Sequence, residues 1–223
     1  MKRLTKGEQT KKEILERANA FFNRHGVDHT IVHISKAIGM SKSRITNYFP
    51  KKDYLVLTLM GNYETKMAEI LSKHRYDTGM SDFGKFIPMM ADIMKLMFQY
   101  RAVISYALIN PTMDGEIYQH IKKSYANNKN RIRRRLEDFA HNNLVKKDVL
   151  EPETFEEYFF QYMCMSSNWI ISYNLLDDGK DIDTLIPRYL RAIFCCLKPH
   201  LTAKGHENLK SALLELEGLP TPK

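Results

Sequence analysis

Cysteine is scarce. The chain has three in 223 residues, two of them adjacent (Cys195, Cys196), and they form no metal-type or redox-type spacing and no even disulfide set. Such usage suits a reducing cytoplasm. Long apolar runs are also missing. The stretch from Met89 to Tyr100 is interrupted by Asp92 and Lys95, and nothing approaches the ~18 uninterrupted apolar residues of a membrane helix. The opening Met1-Lys2-Arg3-Leu4-Thr5-Lys6-Gly7 turns polar at once, so no secretory signal is expected. There is no alternating strand pattern of useful length, no repeat at a period of roughly 20–50 residues and no low-complexity tract. No nucleophile elbow, phosphate-binding glycine loop or Cys/His pairing appears, which argues against an enzyme. His25, His29 and His33 have the four-residue spacing of helical zinc ligands, but Gly26 and Thr30 interrupt any helix between them. Asp177, Asp178, Asp181 and Asp183 lack the order of a calcium loop and read as a capped interhelical turn. Neither a metal nor a cofactor is expected.

What is present is a packed, strongly lopsided chain. Hydrophobic residues make up 43% and charged residues 27%, enough for a core and too apolar for wholesale disorder. The net charge is +8, and residues 1–55 carry twelve Lys/Arg against five Asp/Glu. That end holds a net +7 and leaves +1 for the other 168 residues. A concentrated basic end beside a neutral body points to a polyanion partner, with a solubilising surface as the alternative.

The periodicity is helical throughout, so the expected fold class is all-α. Ile14, Leu15, Ala18, Phe21 and Phe22 form one stripe over residues 10–25. Thr10 with Glu13 makes a capping box, and Thr5 with Glu8 offers an earlier start. Gly26 follows as a C-terminal cap. Thr30 opens a second helix (Ile31, Ile34, Ala37, Ile38) that stops at Gly39, and Ser41 opens a third that runs to Phe49 before Pro50. A fourth extends from about Lys52 to Arg75. Further helical segments are expected near 82–109, 114–144, 153–176, 182–200 and 206–217, with breaks at Asn110-Pro111, Glu151-Pro152, Asp177-Asp178-Gly179 and Lys198-Pro199.

Helices two and three, joined by a tight glycine turn, suggest a helix-turn-helix. On the third helix Ile45 and Phe49 share one side. Ser43, Arg44 and Asn47 lie roughly opposite, flanked by Thr46 and Tyr48. The apolar side must be buried, while the other carries groups that match base edges in a major groove, arginine for guanine and asparagine for adenine. Lys42, Lys51 and Lys52 flank this helix and can meet phosphates. A second basic cluster, Lys129, Arg131, Arg133, Arg134 and Arg135, reads as an exposed helix face.

Residues 14–26, then Thr30 to Ser43, then Asn47-Tyr48-Phe49-Pro50-Lys51-Lys52-Asp53-Tyr54-Leu55, resemble the N-terminal domain of the TetR (tetracycline repressor-like) regulators at ungapped spacing over about residues 10–60. The resemblance implies a helix-turn-helix DNA-binding domain over 1–52 and a helical effector-binding and dimerisation domain over 53–223. It implies a homodimer on a near-palindromic double-stranded operator, with a small-molecule effector and no membrane association. DNA contacts carry over to Thr30, Lys42, Ser43, Arg44, Thr46, Asn47, Tyr48 and Lys52, with Tyr48 and Lys52 on phosphates. Ser43, Arg44, Thr46 and Val32 depart from the family's frequent residues, where regulators differ to read different operators.

The same resemblance gives meaning to two Met- and aromatic-rich stretches, 83–106 and 158–173, which otherwise read as core. An effector pocket is expected at Met94, Phe98, Tyr106, Tyr125 and Trp169, suited to a largely apolar ligand. A dimer seam is expected at Phe155, Phe159, Tyr162, Ile186, Tyr189, Leu190, Ile193 and Leu197. The function expected is a repressor released by its effector. The alternatives are an activator of the same fold, and an all-α ligand carrier or enzyme whose basic end is incidental.

Overall fold

The computed structural model describes residues 5–76, 80–109 and 116–219. Lys2, Arg3 and the expected break at Asn110-Pro111 lie outside them. The chain divides into two compact units, Met1–Lys66 with Gln99–Gln119, and Met67–Phe98 with His120–Lys223. The first unit is thus larger than a head of residues 1–52, because it takes in the start of the fourth helix and a helix from mid-chain. All regular structure among the described residues is helical, apart from one isolated antiparallel bridge between Val145 and Leu201.

The first unit opens with α1 (Lys6–His25), α2 (Ile31–Ala37) and α3 (Lys42–Thr46). The N-cap of α1 is Thr5, not Thr10. Thr5 Oγ1 accepts from the Glu8 N–H at 3.2 Å, and the Glu8 carboxylate accepts from the Thr5 N–H at 2.7 Å. Those bonds from Thr5 hold the Glu8 carboxyl below its ordinary range. Thr10 instead donates its hydroxyl to the Lys6 carbonyl at 3.0 Å, inside the helix. Thr30 and Ser41 cap α2 and α3 as the sequence predicts, accepting from His33 N–H and Arg44 N–H, each at 3.2 Å. Gly39 sits between them at φ 69°, a left-handed turn that a side chain would strain. Ile14, Phe22, Ile34, Ile45, Phe49, Leu55 and Val56 are all buried and knit the three helices to the start of α4 (Lys52–Lys73).

The periodicity over 82–109 predicts one helix, but two form: α5 (Phe83–Gln99) and α6 (Arg101–Ile109). The cause is a long-range capture. The side-chain amides of Asn19 and Asn23 on α1 both donate to the Gln99 carbonyl, at 2.8 and 2.7 Å, so a helical N–H does not take it. Asn23 Oδ1 accepts from the Ala102 N–H at 3.1 Å and so caps α6 from another helix.

The second unit is built from most of α5, α7 (Glu116–His141), α8 (Pro152–Ser172), α9 (Ile182–Ile193) and α10 (Ala203–Leu216). Its centre is an aromatic cluster in which the rings of Phe83 and Phe139 lie 4.6 Å apart, with Phe86 and Phe194 packed around them. Each buried phenylalanine of this kind contributes about 1.5–3 kcal/mol. A π-helical turn, Tyr173–Asp177, follows α8, and a 3-10 segment, Phe194–His200, follows α9 and contains Pro199.

Two charged residues of this unit depart from their expected roles. Arg135 does not belong to an exposed face, because its guanidinium is buried. It donates to the Met80 carbonyl at 2.6 Å and to the Tyr76 carbonyl, and lies over the Tyr76 ring. Asp177 is a buried anchor rather than a simple turn residue. Bonds from Lys180 (2.8 Å), the Tyr189 hydroxyl (2.7 Å) and Arg188 bring its carboxyl down to about 2. Asp181, by contrast, is a cap, accepting from the Asp183 N–H at 3.1 Å.

Candidate nucleic-acid interface

The third helix ends at Thr46 and not at Phe49 as its sequence predicts, but its two sides divide as expected through the turn that follows. Ile45 and Phe49 are fully buried, while Lys42, Ser43, Arg44, Asn47 and Tyr48 are exposed and Thr46 is half-buried. The hydrophobic pair fixes the rotation of α3 on the unit, and rotation decides which side chains face outward. Ser41 both caps α3 and stands 3.2 Å from the Ser43 hydroxyl. The Asn47 amide and the Lys42 ammonium have no intramolecular partner among the described residues, so both are free to bind. Thr30 accepts with its hydroxyl oxygen at the α2 cap, which leaves its proton to donate outward.

Arg44 and Lys52 are already engaged. Arg44 Nη2 donates to Glu13 Oε2 of α1 at 3.1 Å. Glu13 Oε1 also holds Arg17 at 2.7 Å, and Arg17 donates to the Ile38 carbonyl at 3.0 Å. Lys52 lies 3.5 Å from Asp28 and 5.3 Å from the centre of the Tyr106 ring. Glu13 and Arg17 are absent from the sequence-predicted site. Their i,i+4 spacing is visible in the sequence, but the reach from Glu13 to Arg44 is not.

The three histidines gather around one ring. Phe21 lies 4.9, 5.1 and 5.7 Å from the rings of His25, His29 and His33, and His29 Nε2 is bonded to the His25 carbonyl at 2.9 Å. Among the described residues no group of three His, Cys, Asp or Glu is placed to hold a metal ion.

The expected pocket residues are distributed over both units. Tyr106 belongs to the first, under Lys52. Met94, Phe98, Tyr125 and Trp169 belong to the second. There Phe98 packs edge-on against Tyr173, Tyr125 against Phe159, and Trp169 against Tyr189. Met94 and Trp169 are buried and Tyr125 is exposed. The indole N–H of Trp169 has no acceptor among the described residues. A concavity of about 380 Å³ in the second unit is lined instead by Lys73, His74, Arg75, Met80, Lys85 and Pro88.

The expected seam needs correction. Phe155, Phe159, Tyr162, Ile186, Tyr189, Leu190, Ile193 and Leu197 are all buried within their own chain, none more than 8% exposed. Seven lie on α8 and α9 and Leu197 on the 3-10 segment that follows, and all eight pack the chain's own core. The apolar residues left outside are Phe160 (66% exposed), Met165, Ile171, Leu175 (78%) and Leu176 (76%), with the thiol of Cys164 also exposed on α8.

Comparison with known proteins settles the family. The sequence profile TetR, described as a bacterial transcriptional repressor, matches residues 62–209. The chain belongs to the TetR family. The match covers the larger part of the chain, complementing the resemblance over residues 10–60. No curated protein matches the chain in sequence. Among solved structures, a TetR-family regulator from Marinobacter aquaeolei VT8 superimposes with a TM-score of 0.72 at 16% identity, covering 94% of this chain and 98% of that one. A gamma-butyrolactone receptor (ArpA-like protein) gives 0.71 at 15% identity over 96% and 99%. SmeT in its triclosan complex gives 0.62 at 13% over 87% and 93%. These likenesses share the fold of this TetR-family chain, a family of DNA-binding transcriptional regulators rather than enzymes. No helix among the described residues is long and apolar enough to cross a membrane.

Proposed function

We propose that this chain is a homodimeric repressor that reads a near-palindromic operator with α3 and is released by a small, largely apolar effector. The observation that carries the reading is the face of α3. Five exposed residues with hydrogen-bonding groups, Lys42, Ser43 and Arg44 on the capped helix and Asn47 and Tyr48 in the turn that follows it, stand opposite the fully buried Ile45 and Phe49. Ser43, Arg44, Thr46 and Asn47 face bases. Thr30, Lys42, Tyr48 and Lys52 meet phosphates. Two copies of α3 held ~34–36 Å apart engage successive major grooves.

The dimer rests on the exposed face of α8 and the turn after it. Phe160, Cys164, Ile171 and Leu175 recur at helical spacing and continue into Leu176. The Asp177 network pins the end of that turn, so its two leucines are held out on a fixed support. Replacing both Leu175 and Leu176 by glutamate is expected to yield a folded monomer by analytical ultracentrifugation. A double variant that stays dimeric removes this face from the interface.

The solved neighbours described by their ligands, a gamma-butyrolactone receptor and a triclosan complex, support a small organic effector, and triclosan is largely apolar. Met94, Phe98, Tyr125 and Trp169, all of the second unit, are the proposed lining. A ligand that prefers one of two α3 spacings weakens operator binding by its differential affinity, typically ~1–3 kcal/mol. α4, which carries residues of both units, is the lever.

The deciding experiment is selection of bound duplexes from a random pool, followed by a screen for compounds that release the winner. Arg44→Ala is expected to cost ~1–3 kcal/mol on the selected duplex and to relax one base position, with little change on scrambled DNA. Equal losses on both duplexes reassign Arg44 to a phosphate.

A further inference from the structure

The reading arginine of α3 is held by a carboxylate from a different helix. We propose that Glu13, which itself touches no DNA, positions Arg44 for base recognition and so sets part of the specificity. The inference rests on the base-reading role of Arg44 given above. One carboxylate bridges two guanidiniums, with Arg44 on Oε2 at 3.1 Å and Arg17 on Oε1 at 2.7 Å. Arg17 is in turn tied to the carbonyl of Ile38, the residue that closes α2, at 3.0 Å. A single hydrogen-bonded chain therefore runs from the end of α2 through α1 to the reading side chain of α3.

Geometry favours presentation over concealment. Glu13 occupies one N–H of a guanidinium that has five, and a bidentate guanine contact needs two. The planar fork is thus held at one corner with donors to spare. A long side chain loses rotamer freedom when it binds, and a partner that already holds it reduces that loss. The second arginine matters as well. With Arg17 beside it, the carboxylate is neutralised, so it can stand near a polyanion without repelling it as a lone glutamate would.

The two roles predict opposite results. Removing a negative charge near DNA raises affinity for every duplex alike, and that contribution cancels in the ratio of selected to scrambled affinity. Loss of positioning lowers the ratio. The test uses the full chain, a duplex selected by the wild type from a random 20-base-pair pool (roughly the two half-sites of a dimer), and a scrambled duplex of the same composition. Glu13→Ala is expected to lower the ratio by about 3–10-fold. Selection with the variant should blur the base preference at the position that Arg44→Ala relaxes. In an Arg44→Ala background, Glu13→Ala should produce no further fall. Glu13 is partly exposed, so both variants are expected to keep the wild-type Tm. An unchanged or increased ratio in Glu13→Ala, with Arg44→Ala lowering it, overturns the positioning role alone. A further fall in the Arg44→Ala background also overturns it, since the effect then bypasses Arg44. If Arg44→Ala itself leaves the ratio unchanged, the base-reading assignment fails and this inference fails with it.

Discussion

Raising salt from ~50 to 200 mM is expected to weaken duplex binding by about 10³-fold. The estimate follows from the lysines. Lys42, Lys51 and Lys52 flank α3, so the proposed dimer would bring six ammonium groups to the backbone. Each phosphate neutralised releases condensed counterions, and the logarithm of affinity then falls with a slope of about −0.9 per contact. Lys42 and Lys51 have no partner to give up among the described residues. Lys52 must exchange Asp28, which lies 3.5 Å away and is fully exposed, for a phosphate. A pair whose carboxylate stands in solvent is worth only ~0–1 kcal/mol, so the exchange costs little. Titration by fluorescence anisotropy at four salt concentrations gives the slope. A slope near −1 or −2 would mean that the +7 of residues 1–55 merely solubilises that end of the chain, and would favour an all-α ligand carrier with an incidental basic end.

The first fifty residues were legible because their signals are local. A cap needs only the residue three positions on, and the burial of Ile45 and Phe49 follows from helical spacing. What was not legible depends on distant partners. Thr5 and Thr10 are both followed by a glutamate three residues later, and the sequence cannot rank the two boxes. Glu13 is drawn away by Arg17 and Arg44, and Glu8 is left to close the box at Thr5. The division of α5 from α6 at Tyr100 depends on two asparagines some eighty residues earlier. Arg135 looks like one more cation in a basic run, yet its length lets it reach the Tyr76 and Met80 carbonyls from a buried position. The residues expected at the seam are buried within their own chain, for a related reason. Periodicity finds the most apolar stripe of a helix, but it cannot distinguish the protomer's own core from a surface meant for a second copy.

Gly205→Ala is expected to destabilise the chain by ~3 kcal/mol or more, although helix propensity predicts the reverse. Gly205 lies in the first turn of α10, where alanine is ordinarily favoured over glycine by about 1 kcal/mol. Here a Cβ would stand 1.8 Å from the Leu144 carbonyl oxygen and 2.8 Å from its carbon. Both atoms are backbone, so no rotamer change relieves the clash. The carbonyl is itself committed, accepting from the Thr202 N–H at 3.1 Å, and Thr202 Oγ1 accepts from the Gly205 N–H at 3.0 Å. Helix and loop must therefore separate by more than an ångström. That breaks the α10 cap and strains the neighbouring bond from the Lys146 N–H to the His200 carbonyl at 2.7 Å. Urea unfolding of the variant should show a lower midpoint at unchanged slope. Gly26→Ala is the control. Unlike Gly205, it carries a positive φ (80°), and its added Cβ meets nothing within 4 Å, so strain alone acts, at roughly 1–2 kcal/mol. A loss at 205 of less than about 1 kcal/mol would mean that α10 withdraws from Leu144 at little cost, and that this close approach does not make glycine necessary there.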